Sequence, residues 1–253
     1  MKRNQKVGAA RVQKEKFARV VFPVVVPRNE AQKKYAEALK MNTLVVAQGS
    51  AGTGKTYQVT YHAAKKLHYG DIKKIVLIRA YQPLAGRTTG FLPGDIQMKL
   101  LPFYQQMIDY LEDSLGKASV EIALKSGTIE ICSLETIRGR SWSDAIVIVD
   151  EAQNLYPSEI QALVTRIGEN CQMVLCGDNA QNDQKVGQMT GLQYLEKVAA
   201  KYNIEDSAFI TFTRDDVVRS GMVKDFVLAF DTEATLSKNG KDIINQSKNK
   251  EKA

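Results

Sequence analysis

Glycine, lysine and threonine recur at the spacing needed for phosphate binding in residues 49–56, which run G-S-A-G-T-G-K-T. The segment fits G-x-x-x-x-G-K-[ST], in which glycines let backbone N–H groups surround a phosphate at the start of a helix. In this pattern the lysine reaches the β- and γ-phosphates and the last hydroxyl binds Mg²⁺. A site for ATP and magnesium is therefore predicted. Its expected residues are Gly49, Ser50, Ala51, Gly52, Thr53, Gly54, Lys55, Thr56 and the adjacent Tyr57.

Two adjacent carboxylates, Asp150 and Glu151, follow the apolar run 146–149. Ligands of open α/β sheets bind at the carboxyl ends of parallel strands, so both side chains are candidates for chemistry. We expect Asp150 to hold Mg²⁺ together with Thr56, and Glu151 to polarise the attacking water. The alternative is that Asp150 only caps the turn after its strand.

A further polar segment, 177–181 (G-D-N-A-Q), follows the apolar run 172–175 in the same way. A polar side chain a few residues beyond a strand end can reach the γ-phosphate and its water. Gln181 is therefore a third catalytic candidate.

These segments require a fold that places several strand ends side by side. Short β-branched runs alternate with helical patterns, which predicts an α/β fold with a parallel sheet and helices on both faces. Most runs are apolar nearly throughout, as in strands buried on both faces. The predicted strands are 43–47, 74–78, 128–132, 145–149, 172–175 and 208–212.

Three stripes of apolar residues at helical spacing predict helices whose buried faces belong to the core. They run through 103–115 before Gly116, through 160–167 between Pro157 and Gly168, and through 192–202. The apolar segment 20–26, interrupted by Pro23, is predicted to be a strand or a packing segment.

Positive charge is concentrated at the two ends of the chain. Residues 1–28 hold eight Lys/Arg and one Glu, and residues 238–253 hold five Lys, one Asp and one Glu, whereas 29–237 carry a net charge of −3. Basic arms bind phosphate backbones by releasing counterions, so RNA or single-stranded DNA is one predicted partner. Solvated, fraying termini are the alternative. The chain thus divides into a basic arm (1–28), a folded domain (29–235) and a Lys-rich tail (236–253) that is predicted to be disordered.

Several protein classes are excluded by composition. With 44% hydrophobic and 25% charged residues the chain resembles an ordinary globular protein. Its longest apolar stretch is far shorter than the ~20 residues that span a bilayer, and charged residues occupy the place of a signal-peptide core. The cysteines 132, 171 and 176 lack the spacing of a zinc site or disulfide frame. We expect a cytoplasmic location and no membrane contact.

The combination of D-E-A-Q at 150–153 and G-D-x-x-Q at 177–181 after a P-loop resembles the motor core of superfamily 1 helicases. Residues 29–32 (N-E-A-Q) resemble the element in that family whose glutamine pairs with adenine. The resemblance therefore implies that Gln32 contacts the base.

The order of the remaining motifs resembles the PhoH-like ATPase family over about residues 28–230. The matching segments are 91–95 with Lys99 and Pro102, 137–141, 150–154, 165–168 and 216–219. Ser141, Thr190 and the stretch 182–184 depart from the usual Thr, Ser and Asp-Leu-Pro. The resemblance implies one RecA-like domain that binds and hydrolyses ATP, often assembles as a ring and is suspected of acting on RNA.

A helicase closes its site between two motor domains, but this chain holds only one. The simplest supplier of the other half is a second copy, so a homo-oligomeric ring, such as a hexamer, is expected. An arginine from that copy could stabilise the transition state. Arg219 is the first choice and Arg166 the second, among the candidates Arg138, Arg140, Arg166, Arg214 and Arg219. Two other functions stay open: a nucleotide-dependent binding module with little turnover, and a motor for an RNA helicase or ribonuclease.

Overall fold

The computed structural model describes residues 22–80, 96–137, 139–178, 189–219 and scattered positions between 221 and 232. Within these ranges, six strands form one sheet. All pairings are parallel. Each predicted strand is present, with ends shifted by at most two residues. The strands are β1 (Leu44–Gly49), β2 (Lys74–Arg79), β3 (Ile129–Cys132), β4 (Ala145–Asp150), β5 (Cys171–Gly177) and β6 (Ser207–Phe212).

Spatial order in the sheet is β3-β2-β4-β5-β1-β6. The strands β4, β5 and β1 therefore lie inside the sheet, where β1 and β4 are buried along almost their whole length. Since apolar side chains cover both faces of these strands, each face needs its own layer of helices. Their carboxyl ends meet at one edge, which brings the polar segments that follow them together.

Helices cover both faces of the sheet, as predicted. Among the described residues, four helices pack on one face around residues such as Val45 and Ile146, and two pack on the other around Val46 and Val147. The first four are α1 (Glu30–Met41), α2 (Lys55–Tyr69), α3 (Ile96–Leu115) and α4 (Lys117–Lys125), and the other two are α5 (Pro157–Val164) and α6 (Gly191–Tyr202). Short 3₁₀ turns lie at Leu134–Ile137, Ala152–Asn154 and Arg214–Asp216.

In two of the predicted stripes, the last apolar residue does not lie on the buried face of a helix. Helix α5 ends at Val164, because Ile167 forms a parallel bridge with Trp142 and the Gly168 N–H donates to the Trp142 carbonyl. Tyr202, at the last turn of α6, is 62% exposed. Asn203 ends that helix in a left-handed conformation, so Tyr202 is its last residue.

The apolar segment before α1 is a packing segment and not a strand over its described part, residues 22–29. Pro23 and Pro27 remove two backbone donors, which disfavours a strand there. The Phe22 ring instead contacts the rings of Tyr61, His68 and Tyr69 on α2, at centroid distances of 5.0, 5.5 and 6.5 Å.

All three cysteines are free and buried, as predicted. Within the described ranges, no helix has the length and apolar character needed to cross a membrane.

Candidate functional site

A cavity of about 490 Å³ opens at the carboxyl ends of β1, β4 and β5. Three groups of residues surround it. The first is the P-loop (residues 49–56) with the start of α2, and the second is the set of polar residues at the ends of β4 and β5. The third is a wall formed by residues before α1 and after β6. That wall contains Val25, Val26, Arg28, Val218 and Arg219. Most of the residues assigned to the site from sequence are therefore brought together.

The P-loop joins β1 to α2 through backbone that only glycine adopts easily. Gly54, which caps α2, has a φ of 88°. Gly49 has a φ of 138°, and a Cβ there would lie 2.1 Å from the Phe212 carbonyl oxygen of the neighbouring β6. The loop can therefore turn sharply while its strand stays closely packed.

The Lys55 ammonium lies inside the loop. It donates to the carbonyl oxygens of Gly49 (2.6 Å) and Ser50 (2.8 Å) and to the Thr53 hydroxyl (3.2 Å). Burial lowers the pKa of Lys55, and Cys176, followed by Asp178, Asp150 and Glu151, partly offsets that shift. Phosphate oxygens can replace these uncharged hydrogen-bond acceptors. Their negative charge would then offset the positive charge of the buried lysine.

Thr56, in the first turn of α2, lies beside Asp150 at the end of β4. The Thr56 hydroxyl donates to Asp150 Oδ1 at 3.0 Å. Burial raises the pKa of Asp150, and Glu151 raises it further, whereas Arg79 and Thr56 lower it. A hydroxyl and a carboxylate that converge on one point are oxygen donors of the kind that Mg²⁺ prefers, so these residues fit that ion. The bond to Thr56 also means that Asp150 does more than cap the turn after β4.

Glu151 directly follows β4 in a left-handed conformation, with a φ of 54°. Its Oε1 accepts from Arg79 Nη2 (3.0 Å) and its Oε2 from Gln153 Nε2 (2.7 Å). The Gln153 Oε1 in turn accepts from the Asp178 N–H (3.0 Å), so the segments after β4 and β5 are joined.

Sequence reasoning missed Arg79, although a signal for it existed. Arg79 is the last residue of β2, directly opposite Asp150 in the register of β2 and β4. Like Asp150, Arg79 is a charged residue at the carboxyl end of a buried strand, and this position was the signal in the sequence. The order of the strands, which the sequence alone does not show, decides that the two become neighbours.

Two glutamine amides lie beside the P-loop. The Gln32 Oε1 accepts from the Arg28 N–H (2.8 Å) and its Nε2 donates to the Thr53 carbonyl (2.9 Å), which ties α1 to the loop. Gln58 on α2 lines the cavity, and its buried Nε2 has no hydrogen-bond partner among the described residues. Sequence reasoning did not single out Gln58.

Tyr57 also lines the cavity, where its ring packs edge-on against that of Tyr110 on α3 at 5.1 Å. The exposed fraction of Tyr57 is 38%. An aromatic ring that is partly exposed at the cavity can pack against a bound base.

Arg219 belongs to the cavity of its own chain. A Cβ on Gly52 would lie 2.8 Å from Arg219 Cγ, and the Val218 N–H donates to the Gly52 carbonyl at 3.0 Å. This placement favours a role within the same chain over the expected role in a neighbouring copy.

Arg166 is not on a helix, contrary to the expectation from sequence. It follows the end of α5 near the amino ends of β4 and β5, where its carbonyl accepts from the Trp142 N–H. It therefore lies at the edge of the sheet opposite the cavity and can reach a nucleotide only on another molecule.

Of the other arginine candidates, Arg140 pairs with Glu130 at 2.5 Å, and Arg214 donates to Thr232 at 3.1 Å. Arg138 and Gln181 lie outside the described residues, as do the segments 91–95 and 182–184, most of the N-terminal arm and the C-terminal tail.

The parallel α/β sheet, the glycine-rich loop after β1 and the carboxylate that ends β4 define a RecA-like P-loop nucleotide-binding domain. The chain belongs to the PhoH family, whose model, described as "PhoH-like protein", matches residues 24–231.

Among curated proteins, the "PhoH-like protein" of Bacillus subtilis (strain 168) is 39% identical over 202 residues, which are 80% of this chain and 62% of the relative. "Protein PhoH" of Escherichia coli (strain K12) is 35% identical over 201 residues, covering 78% of this chain and 56% of the relative. The chain thus spans only about three fifths of these relatives.

Two solved structures are similar at low identity. The Pif1 helicase from Candida albicans is 15% identical, with a TM-score of 0.37, over 76% of this chain and 41% of that protein. The HK97 bacteriophage large terminase is 13% identical, with a TM-score of 0.44, over 80% of this chain and 43% of that protein. Both TM-scores are too low to support an argument.

Proposed function

We propose that the domain binds ATP with Mg²⁺ and hydrolyses it. The observation that carries this proposal is the bond between Thr56 of the P-loop and Asp150 at the end of β4, with Glu151 as the next residue. A phosphate-binding loop, a pair of metal-binding oxygens and a carboxylate for water are the parts that phosphoryl transfer to water needs.

Each of these residues has a distinct role. Lys55 binds the β- and γ-phosphates, while Thr56 and Asp150 hold Mg²⁺, which neutralises charge on the phosphate oxygens when bound. Glu151 orients the attacking water and accepts its proton. Arg219 places a positive charge on the far wall of the cavity. Gln181 is a second candidate for contact with the attacking water.

RNA or single-stranded DNA is the proposed partner of this motor domain. Support comes from the basic arm, since eight Lys/Arg among residues 1–28 suit a phosphate backbone. Arg166, half-buried at the edge of the sheet opposite the cavity, suits a ring of identical chains in which each copy can reach a neighbour's site.

A nucleotide-dependent binding module with little turnover is the second candidate. The observation that favours it is that both Glu151 carboxylate oxygens already accept hydrogen bonds within the protein. A carboxylate held in this way has fewer lone pairs free for water.

Binding and turnover of ATP, measured on the wild type and three variants, test the proposal. Lys55→Ala should abolish tight ATP binding, and Lys65→Ala, an exposed change on the same helix, should not. Glu151→Gln should keep ATP bound and slow hydrolysis ~10²–10⁴-fold, because an amide cannot accept the proton.

Each assay is repeated with added RNA or single-stranded DNA across a range of protein concentrations. Faster turnover with nucleic acid supports the motor, and a rate per molecule that rises with protein concentration supports assembly. Tight ATP binding without turnover under all these conditions would instead establish the binding module.

A further inference from the structure

The carboxyl end of β4 concentrates negative charge, because Asp150 and Glu151 are adjacent there. Arg79, at the end of the neighbouring β2, places its Nη2 3.0 Å from Glu151 Oε1 and its Nη1 3.9 Å from Asp150 Oδ2. The guanidinium therefore bonds Glu151 directly and only approaches Asp150.

Arg79 is itself held firmly from the other side. Its Nη1 donates to the Phe103 carbonyl of α3 (2.6 Å), and its backbone N–H donates to the Tyr104 hydroxyl (3.1 Å). That hydroxyl donates to the Cys132 carbonyl at the end of β3 (2.9 Å), and Tyr104 is 2% exposed. Arg79 is thus bonded to α3 and, through the Tyr104 hydroxyl, to the end of β3, in addition to its contact with Glu151.

Glu151 needs such support because its backbone has a φ of 54°. A non-glycine residue in this region carries strain that persists only where its surroundings hold it. Gln153 holds one carboxylate oxygen and Arg79 holds the other. Removal of Arg79 would leave the carboxylate with Gln153 as its one remaining side-chain partner and so with a less restricted orientation.

We propose that Arg79 is a positioning residue for hydrolysis, which fixes the Glu151 carboxylate in the orientation that activates water. This role rests on the proposed ATPase function. Arg79 is not among the described residues that line the cavity, so it acts through Glu151 and not through contact with the nucleotide.

An ion pair on the same strand offers a matched control. Lys74, the first residue of β2, pairs with Glu130 of β3 at 2.8 Å. Like Arg79, it joins β2 to a carboxylate on a neighbouring strand, but it lies at the end of β2 away from the cavity. Glu130 keeps its pair with Arg140 (2.5 Å) when Lys74 is removed, as Glu151 keeps Gln153 when Arg79 is removed, so Lys74→Ala reports the effect of losing one β2 ion pair away from the cavity.

The test compares Arg79→Ala, Arg79→Lys and Lys74→Ala for kcat, KM and the Kd of ATP. Misplacing a catalytic group by about 1 Å can cost ~10²-fold, so Arg79→Ala should lower kcat ~10–10²-fold with little change in Kd. Arg79→Lys, which keeps one donor, should be intermediate and also reports on the role if the alanine variant does not fold. Lys74→Ala should match the wild type.

The double variant Arg79→Ala/Glu151→Gln separates action through Glu151 from any other effect. Residues that act as one unit are not additive, so the double variant should be no slower than Glu151→Gln alone. Full kcat in Arg79→Ala, a parallel loss of ATP affinity or a further loss in the double variant would overturn the inference. A wild type that binds ATP but never hydrolyses it would instead refute the ATPase function itself.

Discussion

Gln32 and Gln58 both lie beside the P-loop, but they differ in whether their amide groups are already bonded within the protein. Both ends of the Gln32 amide are engaged with Arg28 and Thr53, so this residue stabilises the loop. The Gln58 Nε2 is buried without a partner among the described residues, an arrangement that costs about 1–3 kcal/mol. A hydrogen-bond acceptor on the base of a bound nucleotide would remove that cost.

Gln58→Leu should therefore lower ATP affinity about 2–10-fold, as expected for the loss of one hydrogen bond worth about 0.5–1.5 kcal/mol. Affinity for inorganic tripolyphosphate, which has no base, should stay unchanged. Gln32→Leu should weaken both ligands, because the loop loses its tie to α1. Calorimetric titration of the two variants with each ligand measures the difference. Equal losses of both ligands in Gln58→Leu would show that Gln58 also acts on the loop.

At the scale of elements, the passage from β1 into the P-loop depends on its contact with β6. Gly49 is paired with Phe212 in the register of these strands, and its hydrogen faces the Phe212 carbonyl. This close approach keeps the loop at the sheet edge, beside the carboxylate that follows β4. The position of the P-loop therefore depends on the packing of β1, β4 and β6 as well as on the sequence of the loop.

Gly49→Ala should destabilise the domain by more than its backbone conformation explains. Gly70 has a φ of 78° and open space around it, so Gly70→Ala measures the backbone cost of about 1–2 kcal/mol at a left-handed position without a clash. The clash at Gly49 should add about 1–3 kcal/mol. Denaturant unfolding of both variants measures the two costs. Similar free energies of unfolding would mean that β6 moves away easily.

For the whole molecule, the position of Arg219 bears on whether one chain holds the proposed catalytic groups near its own P-loop. Arg219 and Gly52 are neighbours within the same chain. The far wall of the cavity therefore carries a positive charge that belongs to the same chain as the P-loop. Arg166, by contrast, can contribute only between molecules.

Arg219→Ala should lower turnover strongly, since arginines that stabilise phosphoryl transfer are worth ~10³–10⁵ in rate. Mixing this variant with Lys55→Ala should restore nothing, because every chain then lacks either its lysine or its arginine. The measurement is turnover in mixtures shown to exchange subunits, with Arg214→Ala, which does not line the cavity, as the control. Recovery of activity would place Arg219 in a neighbour's site, as the sequence suggested.

Local features of the fold and site were open to prediction from the sequence. Apolar runs identified all six strands, and the spacing of Gly49, Gly54, Lys55 and Thr56 predicted a phosphate loop before the structure was known. Such features depend on residues close together in the chain. Errors occurred at element ends: α5 stops before Ile167 because a contact with the distant Trp142 ends it.

Contacts between strand ends were decided only by the tertiary structure. The sequence does not specify that β2 lies beside β4, so it could not pair Arg79 with Glu151. Nor could it show that Arg219 returns to Gly52 of the same chain. Periodicity and motif spacing are local properties, whereas the order of strands in a sheet is set by how whole layers bury their apolar faces. The chemical groups could thus be named from sequence, but their partners follow from packing.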